Sequence, residues 1–318
     1  MLTRLAEDDA ARTLAEDVRI GLAGEQKTLP SKYFYDAVGS DLFDRITRLP
    51  EYYPTRAERS ILEANATEIA AAARAQTLVE LGSGTSEKTR LLLSALRDAG
   101  TLRRFVAFDV DPEVLTYATM AIGAEFAAIE VKGLVGDFEQ HLDRLPNYPG
   151  RLVAFLGSTI GNLDRSGRSH LFRGVRATMA QDGTFLLGVD LVKSVDRLHA
   201  AYDDAAGVTA DFNRNVLAVL NRELGATFDL AAFEHVAVWN ADESWIEMRL
   251  RSTRRQCVHI TTLGMDVPFE AGEEIRTEIS AKFTRPGVED ELAAAGLRPA
   301  AWWTDDAADF ALSLSVPG

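Results

Sequence analysis

The sequence predicts an α/β protein with a doubly wound, mostly parallel sheet and a second, α+β unit. Two observations carry this prediction. Between Leu78 and Leu191, short apolar segments alternate with segments of helical periodicity, as buried parallel strands and their covering helices do. After about Val192, strand-like segments are joined by short loops, which indicates antiparallel pairing in a separate unit.

The first strand of the predicted sheet leads into a glycine turn. A short apolar segment containing one acid precedes Gly82 and Gly84, and residues 86–97 then show helical periodicity with Ser86 as the expected N-terminal cap. Glycines at such a turn let a ligand approach the backbone closely. The N–H groups at a helix start favour an anionic or electron-rich ligand group. The turn therefore predicts a nucleotide-like ligand.

Four further apolar segments predict the remaining parallel strands, at residues 105–110, 131–135, 152–156 and 185–191. Ligands of open α/β sheets bind outside the carboxyl ends of the strands. The polar or glycine residues expected at those ends are Gly82, Asp109, Asp137 and Asn162. Asp111 and Pro112 are expected to begin the helix after the second strand.

The segment before the sheet is rich in aromatic residues. A helix is expected over residues 8–24, and four aromatics follow between Pro30 and Phe43. They predict either a small packed core or lid, or an aromatic wall around a cationic ligand. Thr55 and Glu58 have the spacing of a capping box and are expected to begin the next helix.

The predicted domains are discontinuous. Residues 57–191 and 283–318 are expected to form the sheet domain, and residues 1–56 and 192–282 the substrate-binding domain. In the latter, helices interrupted at Gly207 precede strands expected at residues 234–240, 245–251, 257–263 and 277–283. A helix near residues 288–295 and strands at 299–303 and 310–316 are expected to complete the first domain.

Composition limits the class of partner and the compartment. The net charge of −14 argues against a nucleic-acid partner, and no apolar segment has the roughly 20 residues needed to cross a bilayer. The first ten residues carry acids, unlike a signal peptide. The single cysteine, Cys257, cannot form an internal disulfide and is expected to be buried and unreactive. A cytoplasmic location is expected, with no nucleic-acid or membrane partner, and the protein is expected to be a monomer.

The histidines do not predict a metal site. The chain has five, at positions 141, 170, 199, 235 and 259, without the paired spacing of metal ligands. No metal is therefore expected.

The glycine turn alone does not identify the nucleotide. A dinucleotide fingerprint requires a third small residue where this chain has Glu87, which makes a dehydrogenase a minor alternative. S-adenosylmethionine has no phosphates, and its ribose diol suits a carboxylate such as Asp109 at the end of the second strand. Asp137 and Phe138 are expected to contact the adenine through a hydrogen bond and packing. Together with the glycine turn, these residues favour S-adenosylmethionine.

Seven sequence segments, spread over both predicted domains, resemble one enzyme family. They are residues 32–44 (KYFYDAVGSDLFD), 49–56 (LPEYYPTR), 80–89 (ELGSGTSEKT), 155–163 (FLGSTIGNL), 201–209, 212–216 and 277–280. These segments are similar to the histidine-specific Nα-methyltransferases of ergothioneine biosynthesis, in particular the actinobacterial form. The resemblance implies a class I, Rossmann-like methyltransferase domain. It also implies conversion of the histidine α-amino group to the trimethylammonium betaine hercynine.

The resemblance also implies which residues contact the two ligands. Those implied to line S-adenosylmethionine are Tyr35, Gly82, Lys88, Asp109, Asp137 and Phe138. Asn162 and Tyr202 would hold the substrate carboxylate, Glu278 and Ser280 the imidazole, and Tyr52 would assist through water. The amine and ring pockets would be shaped by Phe43, Gly157, Thr209 and Met248. No general base is implied.

Two alternatives remain within this interpretation. A change of one or two pocket residues can redirect specificity, so the substrate could be another amino acid. A non-catalytic S-adenosylmethionine-binding regulator is the alternative of another class. The acceptor-side residues Asn162, Tyr202 and Glu278 argue against it.

Overall fold

A computed structural model describes residues 2–4 and 10–318, and the strands and helices below are those of this part of the chain. The strands are β1 (Leu2–Arg4), β2 (Lys27–Thr28), β3 (Thr77–Leu81), β4 (Arg104–Asp109), β5 (Glu130–Val135), β6 (Arg151–Phe155), β7 (Thr184–Asp190), β8 (Phe233–Asn240), β9 (Trp245–Ser252), β10 (Gln256–Ile260), β11 (Met265–Phe269), β12 (Glu274–Ala281), β13 (Leu297–Thr304) and β14 (Phe310–Pro317). The helices are α1 (Ala10–Ala23), α2 (Ala37–Thr47), α3 (Pro54–Ala73), α4 (Thr89–Asp98), α5 (Pro112–Glu125), α6 (Phe138–His141), α7 (Arg165–Thr178), α8 (Val195–Tyr202), α9 (Val208–Leu224) and α10 (Arg285–Ala294).

The described chain divides into two compact units, and the first contains β1, Pro54–Val192 and Lys282–Gly318. Its eight-stranded sheet has the order β1-β5-β4-β3-β6-β7-β14-β13. In this sheet the six strands β1, β5, β4, β3, β6 and β7 pair in parallel, whereas β14 and β13 are antiparallel to their neighbours. The prediction of a mostly parallel, doubly wound sheet is confirmed.

The strand order reverses at β3. Its neighbours are β4, which follows it in sequence, and β6, so successive connections run to opposite sides of the sheet. Every residue of β3 and β6 is buried, because helices cover both faces of a parallel sheet. This reversal is the topological switch point at which such sheets bind ligands, and the glycine turn directly follows β3.

The second unit contains residues 10–53 and Lys193–Ala281. Its four-stranded sheet has the order β2-β12-β9-β8, and β10 and β11 form a separate antiparallel ribbon. The antiparallel pairing predicted for this part of the chain occurs between β8, β9 and β12. The buried apolar core of this unit is separate from that of the first and includes Phe34, Phe212 and Met248.

Three strands were not predicted. They are β1, β2 and β11. β1 pairs with β5 in the large sheet, so the predicted assignment of residues 1–56 to the other domain is wrong for β1. Of the predicted helix over residues 8–24, positions 8 and 9 lie outside the described residues. In the described ranges, no helix is long and apolar enough to span a membrane.

Candidate functional site

The glycine turn has the backbone conformation that its glycines permit. Gly82 and Gly84 have φ values of 64° and 48°, in the left-handed region. Ser86 also has a positive φ, 53°, and its N–H donates to the Ser83 carbonyl at 2.8 Å. The prediction that Ser86 caps the helix is wrong. This extra turn delays the start of α4 to Thr89, and Ser86 lies outside the capping position.

Asp109, at the end of β4, is bonded to the glycine turn. Its Oδ2 accepts from the Gly84 N–H at 2.8 Å, and its Oδ1 accepts from the Asp111 N–H at 3.1 Å. Burial raises the pKa of Asp109, and the hydrogen bonds from Gly84 and Asp111 oppose that rise. Asp111 caps α5 through the N–H groups of Glu113 and Val114, as predicted. The turn and the carboxylate therefore form one local structure.

Asp137 and Phe138 follow the neighbouring strand β5. The carbonyl oxygen of Asp109 accepts from the Gly136 N–H at 2.9 Å, which places residues 136–138 at the same sheet edge. Asp137 caps α6 by accepting from the Glu139 N–H at 2.8 Å. The ring of Phe138 packs edge-on against Phe155, with 5.0 Å between ring centroids. The residues predicted for the adenine are thus close to those predicted for the ribose.

Glu58 was interpreted as part of a capping box, and this prediction is wrong. Helix α3 already begins at Pro54, so Thr55 lies inside it. Glu58 is fully buried and forms an ion pair with Lys88. Its Oε1 accepts from the Gly157 N–H at 2.7 Å. One buried carboxylate thereby links the turn after β3 to the loop after β6.

The loop after β6 carries Gly157 and Asn162. Gly157 and Ser158 both have positive φ values, 76° and 57°. The Ser158 hydroxyl accepts from the Asp190 N–H at 2.9 Å, and a 3₁₀ turn over Thr159–Asn162 follows. These contacts fix the loop against β7 and place Asn162 at the carboxyl edge of the sheet.

Glu80 was not predicted as a site residue, although it is the one acid in an apolar strand. It is buried on β3, and Thr89 Oγ1 donates to its Oε1. Burial raises its pKa to about 8, against the opposing effects of Thr89 and Lys88. Among the described residues, its Oε2 and the hydroxyl of Ser83 have no hydrogen-bond partner.

In the second unit, the aromatic residues of the N-terminal segment form one cluster with residues of α8 and α9. Phe34 and Phe212 are buried, with centroids 4.6 Å apart. The partly exposed rings of Tyr35, Phe43 and Tyr52 continue the cluster to Tyr202, with successive centroid distances of 5.6, 6.1 and 6.5 Å. The cluster therefore contains a packed core, as one of the two interpretations predicts, and the aromatic wall around a cationic ligand stays a prediction.

Tyr202 and Ser280 are brought together in this unit. Their side-chain oxygens are 2.6 Å apart, and both residues are buried. Glu278 lies two residues before Ser280 on β12, hence on the same face of the strand, and pairs in register with Met248. Thr209, at the start of α9, donates its N–H to Asp204 Oδ1 at 2.7 Å. The second-unit residues predicted for the substrate thus lie on β9, β12, α2, α8 and α9, except Tyr52, which lies in the segment between α2 and α3.

Cys257 is exposed, which contradicts the expectation that it is buried. It lies on β10, where Val258 and Ile260 are the buried residues. Across residues 2–4 and 10–318, no cluster of three or more His, Cys, Asp or Glu side chains could hold a metal ion.

The strand order, the glycine turn at the switch point and the acids at the strand ends define a Rossmann-like methyltransferase that depends on S-adenosylmethionine. The chain belongs to the family of histidine-specific, S-adenosylmethionine-dependent methyltransferases, whose model matches residues 14–317. The resemblance found in the sequence is confirmed.

Three curated relatives illustrate this membership. The chain is 60% identical to the histidine N-alpha-methyltransferase of Mycolicibacterium smegmatis, over 98% of this chain and 97% of that protein. It is 56% identical to the histidine N-alpha-methyltransferase of Mycobacterium tuberculosis, again over 98% of this chain and 97% of that protein. It is 30% identical to ergothioneine biosynthesis protein 1 of Neurospora crassa, over 87% of this chain and 32% of that protein.

The residues around the glycine turn fit S-adenosylmethionine. A Cβ built on Gly84 would meet nothing within 4 Å, so there is space beside the turn. Two buried polar atoms there, Glu80 Oε2 and Ser83 Oγ, lack partners among the described residues. S-adenosylmethionine has a charged amino-acid end and a ribose diol, which are groups able to serve as hydrogen-bond partners for such atoms.

Proposed function

We propose that this protein transfers methyl groups from S-adenosylmethionine to the α-amino group of L-histidine. Three transfers give the betaine hercynine, a step in ergothioneine biosynthesis. The observation that carries the proposal is the 60% identity, over nearly the full chain, with an enzyme named histidine N-alpha-methyltransferase. The pairing of Tyr202 with Ser280 beside Glu278 supports it.

The first unit supplies most of the proposed cofactor contacts. Gly82 lets the ligand approach the backbone, Asp109 binds the ribose diol, and Asp137 and Phe138 bind the adenine. Lys88, whose ammonium is paired with Glu58, is proposed to contact the carboxylate end of the cofactor. Tyr35 is also proposed to contact the cofactor.

The proposed substrate contacts follow from charge and hydrogen bonding. Asn162 and Tyr202 bind the substrate carboxylate as donors. Glu278 accepts the imidazole N–H and favours the protonated ring, and Ser280 binds its other nitrogen. Tyr52 acts there through water, and the surrounding pockets are shaped by Phe43, Gly157, Thr209 and Met248.

Methyl transfer is an in-line displacement, which requires a neutral amine lone pair aligned behind the sulfonium methyl. The chain contributes by positioning the amine and excluding water. The product carries a fixed positive charge, which the faces of Tyr35 and Phe43 would stabilise. No side chain is assigned as general base, and the amine proton leaves to water.

The setting of the enzyme is also proposed. The net charge of −14 argues against nucleic acid and anionic membrane surfaces as partners. We place the protein in the cytoplasm as a monomer acting on small molecules.

A panel of amino acids tests the proposed substrate. Release of S-adenosylhomocysteine is measured with each of the common amino acids at equal concentration. We expect turnover with histidine and less than about one hundredth of it with the others. Faster turnover of another amino acid would show a different specificity, and no turnover with any would favour a non-catalytic regulator.

A further inference from the structure

A network of buried hydrogen bonds adjoins Tyr202 in the second unit. The side chain of His235, on β8, is only 2% exposed. Its Nε2 lies 2.8 Å from the carbonyl oxygen of Tyr202, and its Nδ1 lies 2.8 Å from Asn213 Nδ2. Neither His235 nor Asn213 has a role in the proposed catalytic machinery.

The partners of Asn213 determine the protonation of this histidine. Asn213 Nδ2 donates to the Arg249 carbonyl at 3.1 Å, and its Oδ1 accepts from Thr277 Oγ1 at 2.6 Å. The amide nitrogen, a donor only, therefore faces His235 Nδ1, which must accept. The Nε2–H then donates to the Tyr202 carbonyl, so the ring is neutral.

This arrangement holds Tyr202 at two points. Tyr202 is the last residue of α8, where carbonyl groups lack partners within the helix. His235 supplies a donor to that carbonyl, while the Tyr202 hydroxyl lies 2.6 Å from Ser280 Oγ. The imidazole thus fixes the backbone, and Ser280 fixes the hydroxyl.

Adding a proton to Nδ1 would disrupt the arrangement. The new N–H would face the amide N–H of Asn213, and turning that amide would place its oxygen against the Arg249 carbonyl. Burial lowers the pKa of His235, and Arg214 acts in the same direction. The hydrogen bond to the Tyr202 carbonyl, Asp203, whose Oδ1 lies 4.0 Å from Nε2, and Asp204 oppose this effect. The net result is a pKa of His235 below the usual value for histidine.

We propose that His235 is a positioning residue for the amino-acid pocket: its neutral ring fixes the backbone of Tyr202, and its protonation weakens histidine binding. This inference rests on the role proposed above for Tyr202. It adds a pH-dependent element that does not contact the substrate.

Two substitutions and one control test this inference. His235→Gln keeps an N–H for the Tyr202 carbonyl but does not titrate, whereas His235→Phe removes both hydrogen bonds. His259→Gln is the matched control, because His259 is an exposed histidine paired with Asp266 on the β10–β11 ribbon. Titration calorimetry measures the affinities for histidine and S-adenosylhomocysteine from about pH 5 to pH 8.

At neutral pH we expect His235→Phe to bind histidine about tenfold more weakly, with S-adenosylhomocysteine affinity within about twofold of the parent. Below neutral pH, the parent and His259→Gln lose histidine affinity more steeply than His235→Gln. The substrate histidine titrates in the same way with the parent and with each variant. Its titration therefore cancels when the histidine affinity of one protein is divided by that of another.

A ratio of parent to His235→Gln affinity that stays constant with pH would overturn the inference. Unchanged histidine affinity in a folded His235→Phe protein would do the same. If that variant does not fold, the pH ratio of His235→Gln decides alone. A parent protein that fails to bind histidine at neutral pH would instead contradict the proposed function.

Discussion

Glu58 Oε1 accepts a hydrogen bond from the backbone N–H of Gly157 at 2.7 Å, while the same carboxylate pairs with Lys88. Lys88 is proposed to contact the cofactor and Gly157 to shape the amine pocket. A fully buried helix residue thus connects the two loops that follow β3 and β6. Gly188 accommodates it, because a Cβ there would lie 2.2 Å from Glu58 Oε1.

We predict that Glu58→Gln weakens S-adenosylmethionine binding about tenfold and lowers the free energy of unfolding by about 2 kcal/mol, since it leaves the Lys88 charge unpaired. Calorimetry and denaturant unfolding measure the two effects. Glu63→Gln is the control: Glu63 is on the same helix but pairs with Arg59 at the surface, where a pair contributes less than about 1 kcal/mol. Equal effects of the two substitutions would contradict the prediction.

Glu80 predicts a loss of stability as the pH rises from about 4.5 to about 8. Its pKa is raised from 4.5 to about 8 in the folded state, so the folded protein holds a proton that the unfolded chain has released. This contribution is fully present below the unfolded pKa of 4.5, decreases as the pH rises above it, and is lost completely once the pH passes about 8. It amounts to about 5 kcal/mol at most.

Glu80→Gln should therefore flatten the stability profile between about pH 5 and pH 8 and make the protein more stable than the parent above about pH 8. The amide oxygen can still accept from Thr89. Urea unfolding at several pH values measures the effect. Parallel profiles for parent and variant would show that Glu80 is already ionised at neutral pH.

Asp109→Ala should mainly damage the cofactor site. The substitution removes the proposed ribose ligand and the acceptor for the Gly84 N–H. We expect S-adenosylmethionine affinity to fall about tenfold to a hundredfold, with a smaller effect on histidine. Calorimetry with each ligand makes the comparison, and unchanged cofactor affinity would count against the assigned role.

Glu278→Ala should mainly damage the histidine site and leave the cofactor site nearly unchanged. Loss of the carboxylate removes a charge-assisted hydrogen bond to the imidazole, so histidine affinity should fall at least about tenfold while cofactor affinity changes little. Glu234→Ala, at an exposed position on β8, is the control. Equal losses for histidine and cofactor would refute the assignment of Glu278 to the imidazole.

The residues at the strand ends could be predicted because their signal is local. A buried parallel strand is continuously apolar, so the glycine or acid that follows it marks the carboxyl edge. Gly82 and Asp109 were located in this way. Ser86 was misplaced, because a turn with positive φ delays the helix, and this cannot be distinguished from an ordinary cap by spacing alone.

The other incorrect predictions concern residues whose contacts in the fold are with residues far away in the sequence. The spacing of Thr55 and Glu58 matches a capping box, but Glu58 is held by Gly157, 99 residues away. Cys257 was expected to be buried because its segment is apolar, yet alternate residues of β10 face solvent once it pairs with the unpredicted β11. The role inferred for His235 depends on contacts with Tyr202 and Asn213, which lie on other elements.

The central claim is that histidine is trimethylated on its α-amino group. Mass spectrometry of a reaction with histidine and excess S-adenosylmethionine tests it most directly, with fragmentation to locate the methyl groups. We predict successive mono-, di- and trimethylated products, with every methyl on the α-nitrogen. Methylation of the imidazole, a final product with a single methyl group, or no methylated histidine at all would contradict the claim.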